Sequence, residues 1–230
     1  SGVNEADVFL ASRLVRLNAP IGYVHGFMHG KFCVAPRHFV KFCQTGDEPC
    51  EVVTKAGVYT VPHVFKKSII NIDNLDLIVM KMPDDFMTFK IKKVLRKPVV
   101  EEEVYFLGLI RDSSGLKAKR SGLSRAYPFE GCGKGLWAYD FNSNHGDCGG
   151  IVVAVKDRKV VGFHNGICKE WGVYKNGVFV PVTQSLIDSV GIDVNGDQWK
   201  FDDRVVMWSQ LKPPSNCFPV TKSISPIEVH

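Results

Sequence analysis

Apolar residues alternate with polar ones, or gather in short runs, through most of the chain after Pro20. Patterns of this kind, bounded by turn-forming residues, are typical of β-strands rather than helices. The predicted strands are 21–28, 31–35, 57–65, 76–82, 102–110, 150–155, 159–164 and 172–182. Two hairpin turns are predicted as well, one at 156–159 and one at Asn176-Gly177, a pair whose members both tolerate positive φ.

Helical spacing occurs in only two short segments. Apolar positions behind Asn4, a residue suited to cap a helix, predict a helix from Asn4 to Leu14. A second helix is predicted from Gln184 to Val190, with Gly191 at the position after its end. Many short strands with few helices predict an all-β fold, either a barrel or a sandwich.

The strand pattern is interrupted near residues 112–130, where Asp112–Gly115 is made of turn-forming residues. We therefore predict two similar β-barrels, the first over residues 1–115 and the second over 116–211. The proline-rich segment 212–230 is predicted to be an extended tail.

The composition is that of a folded, water-soluble protein. Of 230 residues, 45% are hydrophobic and 15 are Phe, which is enough apolar surface for a large core and excludes intrinsic disorder. No run approaches the roughly 20 apolar residues of a membrane helix, and the first residues do not resemble a signal peptide. We expect a soluble protein with no membrane partner.

The seven cysteines are scattered without paired spacing, and the chain has no Asn-x-Ser/Thr acceptor. Both features predict a reducing compartment and free thiols rather than a disulfide framework. The formal net charge of +5 is modest. Its basic clusters, Lys66-Lys67, Lys90–Lys97 and Lys117–Arg120, favour a hydrated surface over a contact with RNA, which stays an alternative.

A glycine-rich segment around Cys148 carries the main chemical signal. Gly146-Asp147-Cys148-Gly149-Gly150 comes directly before an apolar strand. Glycines on both sides allow a strained turn that presents the sulfur, with the N–H groups of Gly146 and Cys148 placed to form an oxyanion hole. The same pattern alone also fits a tight turn that holds a buried thiol.

A cysteine nucleophile needs a base and a group that orients the base. His38 follows the predicted strand 31–35, and Asp76 opens the apolar run of the strand 76–82. An acid at the mouth of a buried strand needs a partner. The order His38, Asp76, Cys148 is the chain order of chymotrypsin-type triads.

With these residues in view, the chain resembles the nuclear-inclusion-a (NIa) proteases of plant potyviruses, which are chymotrypsin-like cysteine proteases. The resemblance covers about residues 20–210. The matching blocks are Pro36-Arg37-His38-Phe39, Asn74 to Pro83, Gly146-Asp147-Cys148-Gly149, Val161-Gly162-Phe163-His164 and Val205-Val206-Met207-Trp208. It implies two antiparallel six-stranded β-barrels with short terminal helices.

The resemblance implies a role for each residue of the site. Cys148 is expected to be the nucleophile, His38 the general base and acid, and Asp76 the group that orients His38. His164 matches the histidine that contacts the P1 side chain, helped by Ser143. No cofactor and no metal ion are implied.

The resemblance also implies a biological role. We expect a monomeric endopeptidase that processes a viral polyprotein in cis and in trans, in the cytoplasm and nucleus of a host plant cell. RNA binding is a secondary expectation, and the tail is expected to be able to reach an active site.

One residue departs from the family. The family has an aspartate three residues before the nucleophile, where this chain has His145. A P1 glutamine is therefore less strongly implied, and the final residues Ile227 to His230 suggest histidine as the alternative. We expect glutamine or histidine at P1, an apolar P4 as at Ile227 and a small P1′ as at Ser1.

Two other classes of protein remain as alternatives. A small metal-binding β protein could use Cys33, His38, Cys43 and Cys50, although the nine- and six-residue gaps between the cysteines fit structural zinc poorly. A non-enzymatic RNA-binding module would use the basic clusters, but it leaves the loop around Cys148 unexplained.

Overall fold

Two antiparallel β-sheets form most of the structure. It is a computed structural model that describes residues 4–43, 49–61, 69–72, 75–87, 89, 93–128, 135–167, 177–189, 205–206, 211 and 228–229. In the part of the chain that the structure describes, no helix is long and apolar enough to cross a membrane.

The strands are short and follow one another closely along the chain. Those before residue 82 are β1 (Leu14–Ala19), β2 (Gly22–His29), β3 (Phe32–Pro36), β4 (Cys50–Thr54), β5 (Gly57–Val61), β6 (Ile69–Asn71) and β7 (Leu77–Lys81). The next group is β8 (Glu103–Asp112), β9 (Gly115–Arg120), β10 (Ser124–Arg125), β11 (Tyr127–Pro128), β12 (Trp137–Tyr139), β13 (Ile151–Ala154), β14 (Val160–Ile167) and β15 (Gly177–Val180). The last two are β16 (Val205–Val206) and β17 (Glu228–Val229).

Each sheet collects strands that are neighbours in sequence. In the described residues the first sheet has eight strands in the order β16-β6-β7-β3-β2-β1-β4-β5. The second has nine: the path β10-β8-β13-β14-β15-β12-β11, with β9 paired to β8 and β17 paired to β14. The predicted all-β architecture is confirmed, but the expected six strands per barrel differ from these counts because several two- and three-residue strands extend both sheets.

The two sheets share a hydrophobic core. Strand β7 has a continuous apolar sequence because both of its faces are buried: Leu77 and Val79 join a cluster that contains residues of both sheets, and Ile78 and Met80 join the core of the first sheet. In the shared cluster the rings of Phe27 and Phe163 meet edge to face at 5.6 Å. Each fully buried phenylalanine contributes about 1.5–3 kcal/mol relative to an exposed one.

Three short helices accompany the sheets: α1 (Glu5–Ala11), α2 (Phe39–Phe42) and α3 (Gln184–Ser189). Asn4 caps α1 as predicted. Its side chain accepts from the Asp7 N–H at 2.9 Å, and the Asp7 carboxylate accepts from the Asn4 N–H. The predicted helix is too long at its C-terminal end, because Leu14 is already the first residue of β1.

The predicted boundary at residue 115 does not separate the two sheets. Strand β8 lies before it but pairs with β13 in the second sheet, and β16 lies after it but pairs with β6 in the first. The turn-forming residues at 112–115 close the β8–β9 hairpin, where Ser114 N–H donates to Asp112 Oδ1 at 2.8 Å and Gly115 has φ +114°. The turn-forming residues at 112–115 therefore indicate a hairpin within the second sheet.

The remaining predicted strands agree in position with observed ones, with ends shifted by a few residues. The strands that were missed are β1, β4, β6, β9 to β12, β16 and β17. Some predictions fall outside the described residues. They are Asn176, Gly191, Met207-Trp208, the ends 62–65 and 172–176 of two predicted strands, and nearly all of the predicted tail.

Candidate active site

His38 and Asp76 meet where two paired strands end and begin. Strand β3 runs antiparallel to β7 with Pro36 opposite Leu77, so the residues just beyond this pair come together. The His38 backbone N–H donates to Asp76 Oδ1 at 2.8 Å, and His38 Nδ1 lies 2.5 Å from Asp76 Oδ2. Both side chains are buried.

This contact determines the tautomer of His38. A carboxylate can only accept, so the imidazole donates through Nδ1 and leaves its lone pair on Nε2. Nε2 is buried, and no group among the described residues hydrogen-bonds to it. In the neutral ring Nε2 is therefore the unprotonated nitrogen, which is what a general base requires.

Asn165 connects this pair to Cys148. Its side-chain amide donates to Asp76 Oδ2 at 3.2 Å, while its main-chain carbonyl accepts from the Cys148 thiol at 2.9 Å. Asp76 belongs to the first sheet and Asn165 lies on β14 of the second. The structure thus brings the three predicted residues His38, Asp76 and Cys148 to one place between the sheets.

The loop before β13 holds Cys148 in a tight turn. Gly146 and Gly149 have φ +97° and +85°, values that side chains rarely adopt. There is also no space for one: a Cβ would lie 1.9 Å from the Tyr23 ring at Gly146 and 2.0 Å from the His25 carbonyl oxygen at Gly149. Both positions therefore require glycine.

Cys148 is fully buried, whereas the loop pattern predicted a presented sulfur. The difference arises because the thiol turns inward and donates to the Asn165 carbonyl. Any base that takes the thiol proton must first break this bond.

Asp147 stabilises the turn from inside the loop. Its buried carboxylate accepts from the Asn144 N–H at 2.8 Å and pairs with Lys119 of β9 at 3.2 Å. A buried carboxylate without partners is strongly unfavourable, so Lys119 is part of the loop's structure. Sequence reasoning missed Lys119, although the buried charge at Asp147 predicts that some cation must lie nearby.

His164 lies in an aromatic environment and contacts a tyrosine hydroxyl. Its Nδ1 is 2.8 Å from the Tyr139 hydroxyl, and the edge of its ring meets Phe141 at 5.1 Å. Burial, with Asp147 and Cys148 nearby, raises the pKa of Tyr139 well above its ordinary value, so the phenol stays protonated and is able to donate to Nδ1. When the phenol donates, a neutral imidazole carries its proton on Nε2.

The other two residues predicted for the P1 pocket lie on the loop that leads to Cys148. Ser143 is buried and His145 is exposed. Tyr139 was missed by sequence reasoning because nothing local distinguishes its hydroxyl from that of any other tyrosine in an apolar strand.

The residues of the metal alternative do not form a cluster. His38 is bound to Asp76 through Nδ1, and Cys33, Cys43 and Cys50 are buried thiols. Among the described residues there is no group of three or more His, Cys, Asp or Glu side chains that could hold a metal ion.

Sequence comparison relates the chain to viral polyproteins. The profile of peptidase family C4 matches residues 5–225. The chain is 28% identical over 232 residues to the genome polyprotein of Sweet potato mild mottle virus, with 99% of this chain and 7% of the polyprotein covered. It is 29% identical over 209 residues to that of Triticum mosaic virus, with 89% and 6% covered. The chain thus spans only a small part of these relatives.

Structural comparison gives the fold. A mutant of tobacco etch virus protease superposes with a TM-score of 0.70 at 21% identity, with 83% of this chain and 82% of that chain covered. Tobacco vein mottling virus protease gives a TM-score of 0.70 at 19% identity, with 92% and 96% covered. The predicted chymotrypsin-like fold is confirmed by these similarities.

Proposed function

The chain belongs to peptidase family C4 and is a viral protease, and on this premise we propose that it processes a plant-virus polyprotein with Cys148, His38 and Asp76 as its triad. The observation that carries the proposal is the Asn165 link, which joins the thiol of Cys148 to the carboxylate that orients His38. The predicted resemblance to the NIa proteases agrees with the family match. The substrate and the role of each residue are the proposed part.

In the proposed mechanism, substrate binding breaks the bond from the thiol to Asn165. His38 Nε2 then takes the Cys148 proton, and the thiolate attacks the peptide carbonyl. Asp76 stabilises the imidazolium without taking its proton. His38 next protonates the leaving amine, and a water that His38 activates hydrolyses the thioester.

The N–H groups of Gly146 and Cys148 are proposed to bind the oxyanion. Donors fixed before the reaction stabilise developing charge because they need no reorganisation as it forms. The two strained glycines keep the loop backbone in the required turn. No cofactor takes part in the proposed reaction.

The substrate is proposed to bind as an extra strand beside β14. Support comes from β17, which pairs antiparallel with β14 through Gly166–Val229 and Ile167–Glu228. Backbone pairing of this kind binds extended peptides with little regard to sequence. A peptide that continues one residue further in this direction reaches the level of Asn165, next to both His164 and Cys148.

This register supports a role for His164 at P1. With its proton on Nε2, the ring is able to donate to the carbonyl of a P1 glutamine or to the unprotonated nitrogen of a P1 histidine. Ser143 is proposed to add a second donor. The exposed His145 replaces the family's aspartate, so no carboxylate there accepts from a glutamine amide.

The pairing of β17 with β14 also supports the proposal that the segment after residue 211 reaches the active site of its own chain. A segment at this edge occupies the place of a substrate strand, as expected for cleavage in cis. We further propose that the protease acts as a monomer in the host plant cytoplasm and nucleus. The four cysteines that the structure describes are thiols, as a reducing compartment requires.

RNA binding stays a prediction that the described basic residues do not favour. In the cluster 117–120, Lys117 pairs with Asp112, Lys119 with Asp147 and Arg120 with Asp7. Neutralised side chains contribute less to phosphate binding.

The direct test is cleavage of synthetic peptides, with products identified by mass spectrometry. We expect the chain to cut Ile-Glu-Val-Gln or Ile-Glu-Val-His before Ser-Gly, and Cys148→Ala to be inactive. Cleavage by the alanine variant would contradict the proposed nucleophile.

A further inference from the structure

His25 is a buried histidine outside the proposed triad and P1 pocket. It lies in β2 of the first sheet, yet it makes two hydrogen bonds to the nucleophile loop of the second. Its backbone N–H donates to the Cys148 carbonyl at 2.7 Å, and its Nδ1 lies 2.8 Å from the Gly146 carbonyl oxygen. These carbonyls belong to the two residues whose N–H groups form the proposed oxyanion hole.

A third hydrogen bond determines the tautomer of His25. The Leu109 N–H of β8 donates to Nε2 at 2.8 Å, so Nε2 accepts and the proton is on Nδ1. Nδ1 therefore donates to the Gly146 carbonyl. Burial lowers the pKa of His25 to about 4, which keeps the ring neutral near pH 7.

The surroundings leave the ring little room to move. A Cβ on Gly108 would lie 3.1 Å from His25 Nε2, and the Phe106 ring meets the imidazole edge-on at 6.3 Å. The absence of a side chain at Gly149 lets the backbone of His25 approach the loop. Two glycines thus allow the contacts that His25 makes.

From these contacts we propose that His25 is a positioning residue that holds the oxyanion hole in its active conformation. Each peptide group is planar, so fixing a carbonyl fixes the whole group. The bonds from His25 fix the groups on either side of the Asp147–Cys148 peptide, which carries the Cys148 N–H. The Gly146–Asp147 peptide group is one of these two, and it follows the Gly146 N–H directly. Fixing it therefore limits rotation of the glycine backbone next to that N–H.

The inference rests on the proposed function and has its own kinetic signature. An oxyanion hole acts only when negative charge develops on the carbonyl oxygen, so its loss lowers kcat with little change in KM. Loss of one donor costs roughly 10²–10³-fold in kcat, and a loosened donor costs less. We expect a roughly tenfold to hundredfold fall in kcat when the Nδ1 donor is removed.

Three substitutions separate the hydrogen bonds of the ring. His25→Asn keeps an N–H near the position of Nδ1, His25→Gln places its amide near the position of Nε2, and His25→Phe keeps a ring without either group. We expect kcat to fall least in the asparagine variant and most in the other two. The substrate is the peptide that the wild-type protein cuts.

Two further measurements exclude a merely structural effect. Alkylation of Cys148 by iodoacetamide forms no oxyanion, so we expect the wild-type rate in all three variants. A peptide aldehyde, which forms a tetrahedral adduct on the thiol, should bind more weakly to His25→Gln, while the matching product acid should bind as to wild type. The proposal would be overturned if the fall in kcat came with a similar fall in the alkylation rate and with a lower melting temperature. A wild-type kcat in His25→Phe would also overturn it.

The proposal remains testable if the variants do not fold. Nitrogen NMR of histidine-labelled wild-type protein reports each ring tautomer, and we expect a neutral His25 with its proton on Nδ1 at pH 7. A proton on Nε2 would overturn the inference. Failure of the proposed function is a different result: wild-type protein that cuts no peptide, or a Cys148→Ala variant that does.

Discussion

Asn165 donates from its side-chain amide to Asp76 Oδ2 at 3.2 Å, so a residue of the second sheet completes the surroundings of a carboxylate from the first. Asp76 thereby accepts from the His38 backbone, the His38 ring and Asn165. A buried carboxylate needs several donors to remain charged. The position of the second sheet thus contributes directly to the electrostatics of the pair in the first.

Asn165→Ala should lower the free energy of unfolding by about 1.5–3 kcal/mol, the value of a hydrogen bond to a charged group. Urea unfolding followed by fluorescence measures it. Asn142→Ala is the matched control, since Asn142 is exposed on the loop before Cys148. Equal stability of the two variants would contradict a significant bond to Asp76.

Cys148→Ala and His38→Ala should each abolish peptide cleavage, because neither residue of a proposed nucleophile–base pair is able to act without the other. The double variant should therefore be no worse than either single one. Cys148→Ser should retain at most a trace, since an alcohol is far less ionised than a thiol near pH 7. Independent, multiplicative losses in the double variant would argue against a coupled pair.

Iodoacetamide should modify Cys148 before Cys33. Burial and the neighbouring Cys50 raise the pKa of the Cys33 thiol far above its ordinary value, so that thiol stays protonated. The thiolate is the reactive form, and only Cys148 has an imidazole base proposed for it. Mass spectrometry of peptides after partial labelling identifies the site, and earlier labelling of Cys33 would count against the assignment.

The sequence predicted those parts of the site that rest on local patterns. The glycines around Cys148 and the apolar run after Asp76 are visible in short windows, and both lie where they were predicted. The contacts of His25 and Asn165 were not foreseen, because they join strands that are distant in sequence. The turn signal near 115 closes a hairpin of the second sheet for a related reason, since a turn signal does not tell which strands will pair across it.

Lys119→Met should destabilise the protein and reduce cleavage, because it leaves the buried Asp147 carboxylate without its cation. Removing one partner of a fully buried pair costs about 3–5 kcal/mol, and the partial exposure of Lys119 places the expected loss below that range. The matched control is Lys117→Met, two residues earlier on β9, whose partner Asp112 is exposed. Similar unfolding midpoints for the two variants would show that the Asp147 pair is not special.

The P1 pocket should select side chains that accept a hydrogen bond. Peptides with glutamine or histidine before Ser-Gly should be cut with higher kcat/KM than those with arginine, phenylalanine or aspartate, because His164 with its proton on Nε2 is able to donate to the acceptor that either side chain offers. Tyr139→Phe removes the hydroxyl that, as a donor to Nδ1, favours this tautomer. The loss of one hydrogen bond, about 1 kcal/mol, predicts a roughly fivefold lower kcat/KM for glutamine. Tyr59→Phe, which loses the hydroxyl of a β5 residue that is bonded to Asp85, should leave P1 selection unchanged. Preferred cleavage after arginine, phenylalanine or aspartate would refute this assignment of the pocket.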